Sequence, residues 1–238
     1  MHLTGRTVEI SPPTEIDAWT RFSFPGRGDT YSSLNYHSAH FSGVDWDDRR
    51  KENAIFRLLS PGRTGWAPDV SPEKGNYDYL MFANLDHSHP EVRHDLLNWG
   101  AWITQELGLG GMRLDAAKHM STSFQKAFVR HVREMTGDQS LVFIGEYWSA
   151  DLAELIGYLE DVDYSLVAYD VPLVMNFSRI SRTKGADLRR VFDGTLVKHR
   201  PESAVTIVMN HDTQPGQMMD VSHAPIIIII IIKPNSFK

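Results

Sequence analysis

The chain contains no cysteine. Disulfides and thiolate-held metals are therefore excluded, but secreted proteins can also lack cysteine, so the absence chooses no compartment. Positive charge is in short supply as well. Lys and Arg number 24 against 30 Asp and Glu, a net charge of -6, with no basic tail and no interleaving of basic and aromatic residues. That balance argues against a nucleic-acid partner. No apolar core of signal-peptide length follows Met1, and no stretch reaches the roughly 20 residues that cross a bilayer. The longest single-residue apolar run, Ile226 to Ile232, is far too short for that. As a core strand it offers no variety of shape, and as an exposed one it promotes aggregation. The sequence after about Asp220 therefore reads as foreign to the fold. No internal repeat is present. These absences leave neither a membrane nor a nucleic acid as partner, and a monomer is expected.

What is there centres on Gly111-Met112-Arg113-Leu114-Asp115-Ala116-Ala117-Lys118-His119. It reads as a buried strand ending in ionisable side chains. Alternation puts Arg113 and Asp115 on one face, the pattern of a carboxylate held ionised beside a fixed cation. A structural ion pair at a strand end would give the same local string. Two later stretches repeat the theme. Leu141 to Trp148 is an apolar strand that stops at Glu146, and Ala204 to Asp212 is another that ends in Asn210-His211-Asp212. Three strands thus deliver an acid at their C-terminal ends, separated by helix-length spacers. A β/α barrel builds its active site in this way. An isolated His-Asp pair is more often structural; its strand-end position argues for function here.

The remaining elements follow from periodicity and caps. A helix is expected after Ser88, with Pro90 in its first turn, an apolar stripe of Val92, Leu96, Trp99, Ile103 and Leu107, and a stop at Gly108. A second runs from about Ser121 to Gly137 with Phe124, Phe128, Val132 and Met135 on one face. Asp151 to Glu160 reads as a helix, Leu166 to Val171 as a strand and Ala186 to Val197 as a helix. Residues 19–80, rich in Gly, Ser, Asp and aromatics, show little periodicity, as in an inserted loop-rich segment. Around its end, Asp78, Asn84 and Asp86 lie close together in a loop of mixed polar and apolar residues. Oxygen donors without Cys or His suit Ca²⁺, although solvated turn acids look the same. For Trp46 and Trp66 ordinary packing is the plainer reading.

The strings G-M-R-L-D-A-A-K-H, G-E-Y-W and N-H-D-T-Q-P-G-Q, in this order, resemble three signature regions of the α-amylase family, glycoside hydrolase family 13. Phe24-Pro25-Gly26-Arg27-Gly28-Asp29-Thr30-Tyr31 and Gly75-Asn76-Tyr77-Asp78-Tyr79-Leu80-Met81 point to its Bacillus-type liquefying members and their fungal intracellular relatives. The resemblance runs over about residues 16–220. It implies an α/β fold, a partial TIM (β/α)8 barrel of about strands 4–7 over residues 81–220. An inserted subdomain over 1–80 would precede it, and 221–238 would be an unrelated tail. The implied activity is endo-acting, retaining hydrolysis of α-1,4-glucans such as starch or glycogen. Asp115 would be the nucleophile, Glu146 the general acid with its pKa raised by Ile144, Tyr147 and Trp148, and Asp212 the stabiliser of the transition state. Arg113, Lys118, His119, His211, Tyr77 and Trp148 would bind sugar. Asp78, Asn84 and the carbonyl of His119 would hold calcium. Where the Bacillus group has further acids for a calcium-sodium-calcium cluster, this chain has Ser42, Ala67, Asn84 and Ser88, so one calcium at most is expected. The family's first signature, an Asp followed by Asn-His, is not found. A fragment or truncated gene model is therefore expected, inactive as written, with the compartment open. An α-glucosidase or transglycosylase is an alternative within the family, and a non-catalytic glucan- or partner-binding relative one outside enzymology.

Overall fold

The computed structural model describes residues 13–59, 66–72 and 81–213. The chain divides into two units, Met1–Gly108 with His119–Gly137, and Leu109–Lys118 with Asp138–Lys238. The first unit contains a small antiparallel sheet that residues 19–80 gave no sign of. β1 (Phe41–Asp47) pairs with β2 (Glu52–Arg57) on one edge and with β3 (Ala83–Leu85) on the other. The register of β1 shifts between Val44 and Trp46 against β2, and between Phe41 and Gly43 against β3. Such bulges break the two-residue alternation by which a strand is recognised in sequence. The hairpin connection is held by Asp47, which accepts the amides of Asp17 and Arg49 and an N–H of the Arg50 guanidinium. Trp66 packs over Gly43, and Trp46 donates its indole N–H to Asp48.

α1 (Pro90–Leu107) starts on Pro90 and ends at Gly108 in the left-handed conformation. Its N-cap is His89 and not Ser88, which is drawn back onto Asp86: one carboxylate oxygen accepts both the amide and the hydroxyl of Ser88. The expected stripe is half realised. Val92 is fully buried, but Trp99 and Leu107 are exposed. The buried side is instead Val92, Asp95, Gly100, Ala101 and Thr104, because small residues there admit α2 (Thr122–Thr136). A Cβ at position 100 would lie 2.4 Å from the Phe128 ring. α2 is capped by the Ser121 hydroxyl, which accepts the Phe124 amide, and stops at left-handed Gly137. Asp69 reinforces its start by accepting from Ser121 Oγ at 2.8 Å and the Ser123 amide at 2.9 Å, negative charge at the positive helix end. Phe124, Phe128 and Val132 are buried; Met135 is exposed. Tyr36, Phe41 and Val92 form the centre of the sheet-helix core. Beside it opens a cavity of about 680 Å³, lined by aromatics such as Trp19, Phe22, Phe82 and Trp99, with Arg27 and Asp95 among its polar groups.

The second unit is built on four parallel strands in chain order: β4 (Gly111–Leu114), β5 (Val142–Gly145), β6 (Val167–Tyr169) and β7 (Ala204–Val205). Gly111 allows the first pairing. It sits at φ 156, and a Cβ there would fall 1.8 Å from the Val142 carbonyl oxygen. Parallel neighbours need crossover connections. α3 (Leu152–Asp161) follows β5, with the Asp151 carboxylate capping Ala153 and Glu154. α4 (Val171–Ser181) and the one-turn α5 (Leu196–His199) lie between β6 and β7. Val174, Val205 and Ile207 form a core cluster with Ile144, Trp148, Val167 and Tyr169 around it.

Two expectations fail in this unit. The helix expected over residues 186–197 is replaced by a 3-10 turn at Leu188–Arg190 and by α5. Gly185 and Gly194 take positive φ, and Asp187 caps its own short turn. The long helix is α4, which starts on Asp170 with Pro172 in its first turn, a start signal passed over in the sequence. The strand expected from Ala204 to Asp212 is paired with β6 only at Ala204–Val205. Beyond it the Asn210 side chain accepts the amides of Asp212 and Thr213, while Thr213 Oγ accepts the Asn210 amide. This self-contained turn competes with strand pairing. The fold class is α/β, and the order of its parallel strands and helices is that of a partial β/α barrel.

Candidate active site

β4 and β5 are adjacent and parallel, with Leu114 opposite Gly145. Asp115 and Glu146 therefore leave neighbouring strands at the same end. One guanidinium joins them. Arg113 donates Nη1–H to Asp115 Oδ1 at 2.7 Å and Nη2–H to Glu146 Oε1 at 2.6 Å. Burial works against the Arg113 charge, but the attraction of Glu146 and Asp115 more than offsets it, so the guanidinium is held above its ordinary value. The other Glu146 oxygen accepts the Ala116 amide at 3.1 Å. Ala116 has φ 47, an uncommon conformation for a residue with a Cβ, and the strain lies between the two acids. Asp115 is open, with its side chain 75% exposed, whereas Glu146 is 11% exposed. Glu146 is thus largely withdrawn from water, and it accepts two hydrogen bonds that the sequence gave no sign of.

Lys118 turns away from solvent. Its ammonium donates to the Trp148 carbonyl oxygen at 3.2 Å and lies 5.6 Å from the centre of the Tyr147 ring. Burial pushes the amine down, partly countered by Glu154. The indole of Trp148 packs, half-buried, on the Val174–Val205–Ile207 cluster. In this arrangement Lys118 fixes the turn after β5, and the sugar-binding role expected of it would require it to swing out. Glu154 is tied to the same turn by the Ser149 hydroxyl at 2.7 Å.

Asp212 and His211 are both exposed and pair with one another at 3.2 Å. They sit in the Asn210 turn beyond β7, not on a strand tip. His119 ends a 3-10 turn and is half-buried in the first unit, where Asn84 also lies. Asn84 donates its amide N–H to Ser42 Oγ at 2.7 Å, which leaves its carbonyl oxygen to accept or coordinate. Tyr77 and Asp78 lie outside the described residues, as do the Ile226–Ile232 run and the tail. Sequence reasoning missed the Ala116 amide, which spacing alone cannot reveal. It also missed the grouping of His40, His89 and Glu91, for which the close pair His89 and Glu91 was the available signal.

Carboxylates at the ends of adjacent parallel strands, in the strand order of a partial β/α barrel, define the class: an α/β-barrel type of protein with its candidate site at the C-terminal ends of the strands. No protein-family model matches the chain. It is 45% identical over 216 residues to the α-amylase of Bacillus licheniformis, covering 90% of this chain and 41% of that protein. It is 44% identical over 218 residues to the glucan 1,4-α-maltohexaosidase of Bacillus sp. (strain 707), covering 91% and 42%. The cytoplasmic α-amylase of Escherichia coli (strain K12) is 36% identical over 213 residues, covering 89% and 43%. Among solved structures, an Anoxybacillus α-amylase superposes with a TM-score of 0.51 at 25% identity, over 63% of this chain and 33% of that one. The chain belongs to the α-amylase family of glycoside hydrolases, and it spans about two fifths of the length of the curated relatives it matches. That family binds calcium. No helix among the described residues is long and apolar enough to cross a membrane.

Proposed function

We propose that the chain carries the catalytic carboxylates of a retaining, endo-acting α-1,4-glucan hydrolase. The observation that supports this most directly is Arg113 bridging Asp115 and Glu146 at the ends of β4 and β5. Retaining enzymes place their two carboxyl groups about 5–5.5 Å apart, and two acids held by one guanidinium fork are close neighbours. Asp115, exposed and paired with a fixed cation, attacks the anomeric carbon. Glu146 protonates the leaving oxygen and later activates water. In the present arrangement both Glu146 oxygens accept hydrogen bonds, so the donor role requires it to leave Arg113 as substrate enters. Asp212, with His211, binds the sugar ring and stabilises its positive charge. Trp148 and Tyr77 supply apolar surface to the glucan, with Lys118 and His119 as hydrogen-bonding groups beside it.

Calcium fits the oxygen donors of the first unit. Asn84 offers a free amide oxygen, and the His119 carbonyl and Asp78 would complete the set. Such an ion would tie loop segments together and take no part in bond cleavage.

The catalytic reading is tested with a 5-fluoro-glucosyl fluoride, which traps the glycosyl-enzyme. A label on Asp115, found by peptide mass spectrometry, supports it. Absence of label in folded, starch-degrading protein removes the nucleophile assignment. Asp115→Asn and Glu146→Gln are each expected to lower kcat by several orders of magnitude without lowering the unfolding temperature.

A further inference from the structure

His40, His89 and Glu91 take no part in the catalytic reading, yet their side chains converge. The geometry points to a binding site for a borderline divalent transition-metal ion, Zn²⁺ or a close relative, distinct from any calcium site. The donor atoms of the three residues all lie within 4.8 Å of one another. His40, fully buried at the entrance to β1, has Nε2 3.1 Å from Glu91 Oε2. The His89 ring stands edge-on to that of His40 with centroids 4.7 Å apart, and its Nδ1 is buried without a hydrogen-bond partner. A buried ring nitrogen without a partner is uncommon and asks for a ligand.

The scaffold is set before any ion arrives. The Asp86 amide donates to the His40 carbonyl at 2.9 Å, and the His89 amide to the Asp86 carbonyl at 3.0 Å. Phe41 and Val92, each next in sequence or nearly so to a donor, are packed in one core cluster. Glu91 Oε2 already faces His40 Nε2, so the carboxylate stands on the side of the ring where an ion would sit. The first turn of α1 by itself repels a cation, and the Glu91 charge offsets that.

Two imidazole nitrogens and one carboxylate oxygen select against calcium and for zinc, cobalt or copper. In a tetrahedral shell with bonds of about 2.0–2.1 Å the donors stand roughly 3.3 Å apart, so the group must tighten. Glu91, with its side chain 62% exposed, is free to move inward. Water takes the fourth position. Coordination also changes a tautomer. His40 Nδ1 now accepts the His37 amide at 3.1 Å, which leaves the ring proton on Nε2. Binding displaces that proton, Nδ1 takes one up, and the ring stays neutral. The His37 amide loses its acceptor and Glu91 loses the proton it accepted from His40 Nε2, two hydrogen bonds given up for three coordination bonds gained.

The test uses the full chain, stripped with chelator and desalted, and Zn²⁺ followed by calorimetry, with Co²⁺ as the spectroscopic probe. Uptake of one equivalent, a tetrahedral Co²⁺ spectrum and persistence in excess Ca²⁺ are expected. His89→Ala and Glu91→Gln, neither fully buried, are each expected to weaken Zn²⁺ binding by more than the about 10–100-fold that loss of an outer-shell partner costs. Circular dichroism checks that both variants fold. The chain has 11 histidines. Uptake that both variants leave unchanged assigns the ion to other histidines and overturns the site, as does no uptake at all.

Discussion

Arg113 is the residue on which the proposed chemistry turns. Its planar fork reaches two carboxylates at once, and a lysine offers only a point charge. Arg113→Lys should therefore lower kcat on soluble starch by about a hundredfold or more while leaving the fold intact. The pairing with Asp115 was legible, because two residues on one face of a strand meet by alternation alone. The sharing with Glu146, 33 positions further along, depends on β4 and β5 lying side by side. His87 makes a separate prediction. Its ring packs 4.5 Å from that of Phe124, and burial lowers its pKa from 6.5 to about 4. The unfolded chain binds that proton at higher pH than the folded one. Stability is then complete above about pH 6.5 and falls as pH drops toward 4, by roughly 3 kcal/mol at most, with no further loss from this group below that. Urea unfolding across this range should show the slope, and His87→Leu should flatten it.

At the scale of elements, helix ends were the most readable features. Pro90, Gly108, Ser121, Gly137 and Asp151 all mark boundaries where they were expected, since caps act over three or four residues. Strands were harder, because bulges disguised β1 and a turn centred on Asn210 consumed the end of the β7 run. The element with most consequence, Asp170, was unmarked. Fully buried, it accepts the Leu173 amide at 3.1 Å to start α4, and the Leu196 and Val197 amides at 3.0 and 2.8 Å to start α5. Asp170→Ala leaves three amides without their acceptor and should cost roughly 3 kcal/mol or more, read as a lower urea midpoint at unchanged slope. Asp170→Asn keeps an acceptor oxygen and should lose less. Gly100→Leu should separate α1 from α2 by forcing a side chain into Phe128, and lower the unfolding temperature by several degrees.

Across the whole molecule, apolar surface is unevenly distributed. Trp19, Met81 and Phe82 are 73–81% exposed, and Trp19 and Phe82 line the 680 Å³ cavity of the first unit. Patches of this kind bind apolar probes. The folded protein should enhance anilinonaphthalene sulfonate fluorescence below its unfolding transition, and Trp19→Ser with Phe82→Ser should reduce that signal at unchanged circular dichroism. The same contrast of scales separates what local rules settle from what packing settles. The kinds of acid, their place at the ends of apolar runs, the α/β alternation and the family follow from residue type and spacing, which act over one or two turns of chain. Packing alone decided that one arginine serves Asp115 and Glu146, that Asp170 starts two helices, and that His40 meets His89 and Glu91. Those partners are remote in sequence, and only a folded core can offset the chain entropy of bringing them within hydrogen-bonding distance.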